Sequence, residues 1–170
     1  AGSGTCAGTP PSGWVAGSNT GTPDFIPNAN ANGGSGYSCD DICSGVDPHT
    51  FVPPNVLCRI NRIRQVDSAE KFSHTQDAIF ANGIVRRRSN GQLVGGPFPC
   101  STTGITVSAG NAKFPGMEGG GTCRLGDSSS TCAARDQNEA RLCCCTTDAE
   151  HARDGSKSMC AVEASDCNAT

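Results

Sequence analysis

The chain has 170 residues, 12 of them cysteine, and a formal net charge of −3 at neutral pH. It lacks the basic surplus of a nucleic-acid-binding protein, and no apolar run reaches the roughly 18 residues that span a bilayer. Val, Ile, Leu and Phe together make up 26 residues, fewer than the roughly one-fifth share expected of a self-sufficient core. We therefore expect neither nucleic acid as a partner nor membrane insertion, and covalent cross-links in place of much of the core.

The cysteines run the whole length of the chain, and their even number fits up to six disulfides. They are Cys6, Cys39, Cys43, Cys58, Cys100, Cys123, Cys132, Cys143, Cys144, Cys145, Cys160 and Cys167. Disulfides of this density persist in an oxidising compartment, which predicts an extracellular, secreted or cell-surface protein. Metal binding is the alternative, but there is no C-x-x-C pair and the three histidines lack zinc-site spacing. We predict no metal and no cofactor, and spacing leaves the connectivity open.

Two further features fit secretion. The chain begins at Ala1 without a charged leader, from which we expect a mature protein whose signal peptide has been removed. Asn168 starts the sequence Asn-Ala-Thr, which is an acceptor for N-linked sugar. We therefore expect a glycoprotein, with Asn168 as its candidate glycosylation site.

Residues 1–38 are predicted to form an extended arm rather than a domain. They contain nine glycines, many Ser, Thr, Asn and Pro residues, and a single charged residue, a composition typical of flexible linkers. Its apolar islands, Trp14-Val15 and Phe25-Ile26, are the candidate interaction residues. Two arrangements remain open: the arm packs on its own body, or it lies on a neighbouring copy and adds a strand there.

The stapled body, residues 39–170, is predicted to begin with a short helix. Ser38 is placed to cap it, and Cys39 and Cys43 share one helical face because they are four residues apart. Apolar residues from Val56 to Ile63 also recur at helical spacing. Two helices are therefore expected in the first part of the body.

Four further segments follow in chain order. A longer helix is predicted from Asp67 or Ser68 to Asn82-Gly83. Residues 84–94 predict a β-hairpin, because Asn90-Gly91 supplies the positive φ of a type I′ turn. Residues 104–109 alternate like a strand, and the glycines of 116–121 predict a loop.

The three consecutive cysteines carry geometric information. In an extended segment, neighbouring side chains point to opposite faces, so Cys143 and Cys145 would bond one way and Cys144 the other. Arg141 to Thr147 is therefore predicted to be a hub strand between two layers. A helix end or turn with one local pairing is the alternative. Together the elements predict an α+β fold: a small disulfide-rich domain with short helices, a β-hairpin and much loop, preceded by the extended N-terminal arm.

Part of the cysteine pattern is similar to a known module. The pattern consists of Ser38-Cys-Asp-Asp-Ile-Cys-Ser44, Cys58, Gly-Thr-Cys123, Cys132 and Ala140-Arg-Leu-Cys-Cys-Cys145. It resembles the cysteine-rich extracellular module that recurs in secreted and cell-surface proteins of algae and other protists. The likeness covers residues 38–147, implies an extracellular location, and brings no catalytic residues with it.

Candidate catalytic residues are few. Asp148, Glu150, His151 and Asp154 form the only tight cluster of titratable groups in the sequence, and a solvated polar turn accounts for them. The adjacent carboxylates Asp40-Asp41 fall on different faces of a helix or a strand, unlike the facing pair of a glycosidase. We therefore predict that the protein is not an enzyme.

Charge is divided unevenly along the chain, since residues 1–58 carry −4 and the remainder +1. With no active site in evidence, we expect a structural or assembly protein of a cell surface or extracellular matrix. Its partners would be other copies, joined through the arm into oligomers or filaments, and other matrix proteins or glycans. The alternative is an extracellular glycan-binding or adhesion module, although only Trp14 and Tyr37 accompany the six phenylalanines for stacking.

Overall fold

In a computed structural model of the chain, the described residues are 13–17, 37–46, 52–81, 85–87, 93–95, 104–107, 114–118, 123–134, 139–152, 160–163 and 166. They form the helices α1 (Cys39–Cys43), α2 (Ile60–Ile63), α3 (Ala69–Ala81) and α4 (Asp148–Ala152). The strands are β1 (Trp14–Ala16), β2 (Leu57–Cys58), β3 (Val85–Arg87), β4 (Leu93–Gly95), β5 (Ile105–Val107), β6 (Gly116–Glu118), β7 (Cys123–Leu125) and β8 (Glu139–Thr146). Four disulfides connect described cysteines. The predicted α+β, disulfide-rich class is confirmed.

Strand β8 is the centre of the main sheet. The strand order is β1-β8-β6-β7-β5, and β2 pairs with the last two residues of β8. Strands β1, β2 and β6 run antiparallel to β8, whereas β5 and β7 pair in parallel. Every residue of β8 from Arg141 to Thr146 is buried, so both faces of this part of the strand are covered.

The predicted hub strand and its alternation are confirmed. Cys143 and Cys145 bond to Cys39 and Cys43 of α1. Cys144 bonds instead to Cys160. Because successive side chains of an extended strand point to opposite faces, β8 is held by disulfides on both sides.

Helix α1 begins as the sequence predicts. The Ser38 hydroxyl accepts a hydrogen bond from the Asp41 N–H at 3.1 Å, and the Asp41 carboxylate accepts one from the Ser38 N–H at 3.3 Å. This reciprocal capping box satisfies donors that the helix itself leaves open. It places Cys39 and Cys43 on the face that meets β8.

The helix expected across Val56 to Ile63 is only partly formed. Leu57 and Cys58 are extended and pair with Thr146 and Cys145 of β8, and α2 begins only at Ile60. Cys58 is also tied to Cys132 by a disulfide. Pairing with β8 has overridden a local helical preference, because helix propensities of ordinary residues differ by at most about 0.7 kcal/mol.

The prediction of a glycine loop at 116–121 is wrong for its first half. Gly116–Glu118 form β6, which lies between β7 and β8. Strand pairing here uses main-chain groups, which glycine supplies as well as any residue. The longer helix is confirmed as α3, whose first turn is capped by the Ser68 hydroxyl. The hairpin strands β3 and β4 do pair, and β5 matches the predicted strand.

Candidate functional site

The candidate interaction site is the socket that receives β1, a segment of the predicted arm. The strand register places Trp14 opposite Cys144, Val15 opposite Cys143 and Ala16 opposite Leu142. Two more main-chain bonds flank the strand: Cys145 N–H donates to the Gly13 carbonyl at 2.9 Å, and Gly17 N–H donates to the Arg141 carbonyl at 3.0 Å. The strand thus completes one side of the hub.

Trp14 is the main anchor of β1. Its side chain has no exposed surface, and its indole N–H donates a hydrogen bond to the Ala161 carbonyl at 3.0 Å. Helix α3 also packs against β1. A buried tryptophan combines a large apolar area with one polar group that needs a partner, and this socket supplies both requirements.

Gly13 determines how the chain enters the socket. Its φ is +85°, and a Cβ added there would lie 2.9 Å from Cys160 Sγ and 2.9 Å from Thr146 Cγ2. Glycine alone combines this backbone conformation with such a close approach. Glycine is therefore required at the position directly before Trp14.

The arm residues proposed for interaction divide into two groups. Trp14 and Val15 are buried in the socket of their own chain, which corresponds to the arrangement in which the arm packs on its own body. Phe25 and Ile26 lie outside the described residues. The predicted boundary at residue 38 therefore separates Trp14 and Val15 from a core to which they contribute.

The remaining predicted covalent sites are placed only in part. Cys123 is disulfide-bonded, in addition to the eight cysteines of the four pairs described above. Cys6, Cys100, Cys167 and the glycosylation candidate Asn168 lie outside the described residues. Their pairing and modification stay predictions.

Arg141 is a buried residue whose role the sequence does not reveal. Its guanidinium donates through Nη1 to the Thr131 and Ala134 carbonyls, at 2.7 and 2.8 Å. It also lies 4.3 Å from the centre of the Phe114 ring. A planar cation can meet carbonyls at its edge and a ring at its face. Arg141 thereby ties the loop after Cys123 to β8, and an arginine within a run of apolar strand residues is the only sequence signal for this.

Two members of the candidate catalytic cluster make structural contacts. Asp148 lies in α4, rather than in a turn, and pairs with Arg59 at 2.8 Å. Glu150 accepts a hydrogen bond from the Thr147 hydroxyl at 2.8 Å and caps the same helix. Of the other two members of the predicted cluster, His151 lies in the last turn of α4 and Asp154 lies outside the described residues.

One group of metal-ligand type occurs in the described part of the chain. Ligand atoms of Asp40, Cys58 and Cys132 lie within 4.8 Å of one another. The two sulfur atoms are joined in a disulfide, so neither is the thiolate that binds metal. In this state the group is a cross-link beside a surface carboxylate.

A cleft of about 300 Å³ runs beside α3. Glu70, His74 and Asp77 line it from the helix, and Glu163 lines it from the C-terminal segment. The sequence spacing of 70, 74 and 77 already places these side chains on one helical face. Glu163 could not be associated with them from sequence, because only the tertiary fold brings it to α3.

His74 makes stability depend on pH. Burial lowers its pKa from the ordinary value of 6.5, although Asp166, Asp77 and Glu163 act to raise it. As the pH falls, the unfolded chain therefore binds this proton before the folded chain does. We expect the free energy of unfolding to decrease from about pH 6.5 down to the pKa of folded His74, and a His74→Gln variant to lose that contribution. Urea denaturation at stepped pH values measures it, and identical slopes in the two proteins would contradict the assignment.

The chain matches no family model, no curated protein and no solved structure. Function is therefore inferred below from the residues, contacts and charges of the chain itself.

Proposed function

We propose that this protein is a secreted structural component of a cell surface or extracellular matrix, and that its copies join by exchanging strand β1. The observation that carries the proposal is that a three-residue strand from a glycine-rich arm completes the sheet and core of the body. The socket contacts of β1 are identical whether the strand comes from the same chain or from a neighbour. Exchange of such an element is a low-cost route to assembly.

The chain on either side of β1 suits such an exchange. Residues 1–12 precede the described segment, and residues 18–36 connect it to Tyr37. The connecting 19 residues can span at most about 65 Å when extended. They are rich in Gly, Ser, Asn and Pro. A neighbouring socket is therefore within reach.

The way in which arms are passed on decides the form of the assembly. Two copies that exchange arms reciprocally close into a dimer, whereas a copy that gives its arm to the next and receives one from the last starts an open chain. The second form fits a matrix or filament. Reciprocal exchange would still place β1 in a partner.

The disulfides support an extracellular location. Four described disulfides, three of them made by buried cysteines, are typical of proteins that fold in an oxidising compartment. Within the described residues, no helix is both long and apolar enough to cross a membrane. The resemblance of residues 38–147 to an extracellular module points to the same location.

The exchange is tested by shortening the connection. Deleting residues 22–33 should hinder the return of β1 to its own socket and raise the fraction of oligomers, because the same strand can still reach a neighbour. Light scattering after size-exclusion chromatography would show multiples of the chain mass, which is 17.3 kDa for the full chain and less for the shortened variant. The fraction of these oligomers should increase with concentration, and negative-stain images would separate rings from filaments.

A deletion of residues 1–5, which lie before both Cys6 and β1, is the control and should assemble as the full chain does. If the full chain and the shortened variant both remain monomeric up to millimolar concentration, strand exchange is excluded. If deleting residues 1–5 changes assembly as much as deleting residues 22–33 does, the effect comes from the total length of the arm and not from the connection. That result would also contradict the proposal.

A further inference from the structure

The cleft beside α3 carries a concentrated negative charge. Glu70, Asp77 and Glu163 in its wall are exposed carboxylates, and none forms an ion pair with a described cation. Lys71 also lines the cleft, but its ammonium is 3.4 Å from Asp67, which is not part of the wall. The local potential therefore favours a cationic ligand.

His74 is a second, independent feature of the cleft. The residue is only 9% exposed, and its Nε2 atom has no hydrogen-bond partner among the described residues. Buried polar atoms are satisfied in the great majority of native structures, so an orphaned one calls for an explanation. A neutral imidazole nitrogen can accept a hydrogen bond from an ammonium group.

The spacing of these groups excludes a preformed site for a single metal ion. Among the described residues, ligand atoms from three side chains lie within 4.8 Å of one another only at Asp40 and the Cys58–Cys132 disulfide. The side chains of the cleft form no such group. The volume of about 300 Å³ lies at the lower end of the range for organic ligands. The cleft therefore suits a small molecule with separated positive groups.

We propose that this cleft binds an organic cation with two or more primary ammonium groups, supplied either by a polyamine or by the amino sugars of a de-N-acetylated glycan. Glu70 and Asp77 accept ammonium groups from α3, and Glu163 accepts them from the C-terminal segment. Each ammonium carries three N–H donors, which suits carboxylates that lie apart. The proposal is independent of strand exchange, because every residue involved belongs to one copy.

Isothermal titration of the full chain with spermidine at low ionic strength tests the cleft. We expect saturable binding with one site per chain, weakened by added salt because exposed charges are screened. Glu163→Gln should weaken binding roughly fivefold, which corresponds to the loss of one exposed ion pair. Asp40→Asn removes the same charge from another exposed carboxylate and should leave the affinity unchanged. Both variants should keep the wild-type unfolding midpoint.

A glucosamine tetramer and its fully N-acetylated counterpart separate the two sources. Binding of spermidine alone identifies a polyamine, and binding of the glucosamine tetramer alone identifies an amino-sugar glycan. Binding of both establishes the shared ammonium chemistry. The proposal is overturned if neither binds, if the acetylated tetramer binds equally well, or if Asp40→Asn weakens binding as much as Glu163→Gln does.

Discussion

Removing both disulfides between α1 and β8 should destabilise the protein by more than the sum of the two single removals. Cys39–Cys143 and Cys43–Cys145 join positions 104 and 102 residues apart, so each closes nearly the same large loop. When one is replaced by two alanines, the other still closes that loop, and only the small ring between them is opened. The Cys58–Cys132 disulfide lies within this loop and shortens it. Chain entropy then predicts a loss of about 2 kcal/mol in the free energy of unfolding for each single removal, and of about 6 kcal/mol when both disulfides are removed.

Urea denaturation without reductant measures these losses in the two paired-alanine variants and the fourfold variant. The Cys144–Cys160 pair is the control, because it lies on the other face of β8 and closes a separate loop of sequence separation 16. The loss of stability on removing Cys144–Cys160 should simply add to the loss caused by either single removal. A fourfold variant whose loss equals the sum of the two singles would show that the disulfides do not constrain a common loop.

Replacing Trp14 with alanine should cost about 3–5 kcal/mol, the range for large-to-small changes at fully buried aromatic positions. The indole is buried against the hub and also bonds to the Ala161 carbonyl. The variant leaves both a cavity and an unpaired carbonyl. Equilibrium denaturation followed by circular dichroism measures the loss, since the variant lacks the only tryptophan of the chain.

Trp14→Phe is the matched control, because it keeps most of the ring and removes the hydrogen bond. We expect a smaller loss, with about 1–3 kcal/mol from the unsatisfied carbonyl and the remainder from the smaller ring. In the wild type, emission of Trp14 should shift to longer wavelength on unfolding. If Trp14→Ala unfolds within about 0.5 kcal/mol of wild type, as surface substitutions do, β1 is not seated in the core.

The burial of Trp14 also changes how the arm is understood. Composition separates residues 1–38 from the body, yet the arm supplies the only tryptophan of the chain to the core. A body without the arm would therefore have an empty socket. Stability and assembly are coupled in strand exchange, because the residue that completes the fold is also the one to be passed to a neighbour.

Local rules account for the elements that the sequence predicts correctly. Alternation along an extended strand separates Cys144 from Cys143 and Cys145, and this needs only the period of two. Helical spacing places Cys39 and Cys43 together, and Ser38 caps their helix. Each of these predictions depends on residues no more than four positions apart.

The misses depend on distant partners. Leu57-Cys58 and Gly116–Glu118 become strands because β8 offers main-chain groups to pair with. The intrinsic conformational preference of such short segments is weaker than this tertiary context. Arg141 gains its role from the Thr131 and Ala134 carbonyls and the Phe114 ring. The cleft needs Glu163 beside α3, a proximity that no sequence spacing expresses.

Amino-acid order alone thus established a disulfide-rich α+β protein with a two-faced cysteine strand, because composition and short-range periodicity act on neighbouring residues. The folded chain decided which cysteines pair, where Trp14 is buried and which charges share a cleft. These are contacts between residues far apart in sequence, such as Trp14 with Ala161 and Cys39 with Cys143. They form only when the whole arrangement offsets the conformational entropy lost in bringing such segments together.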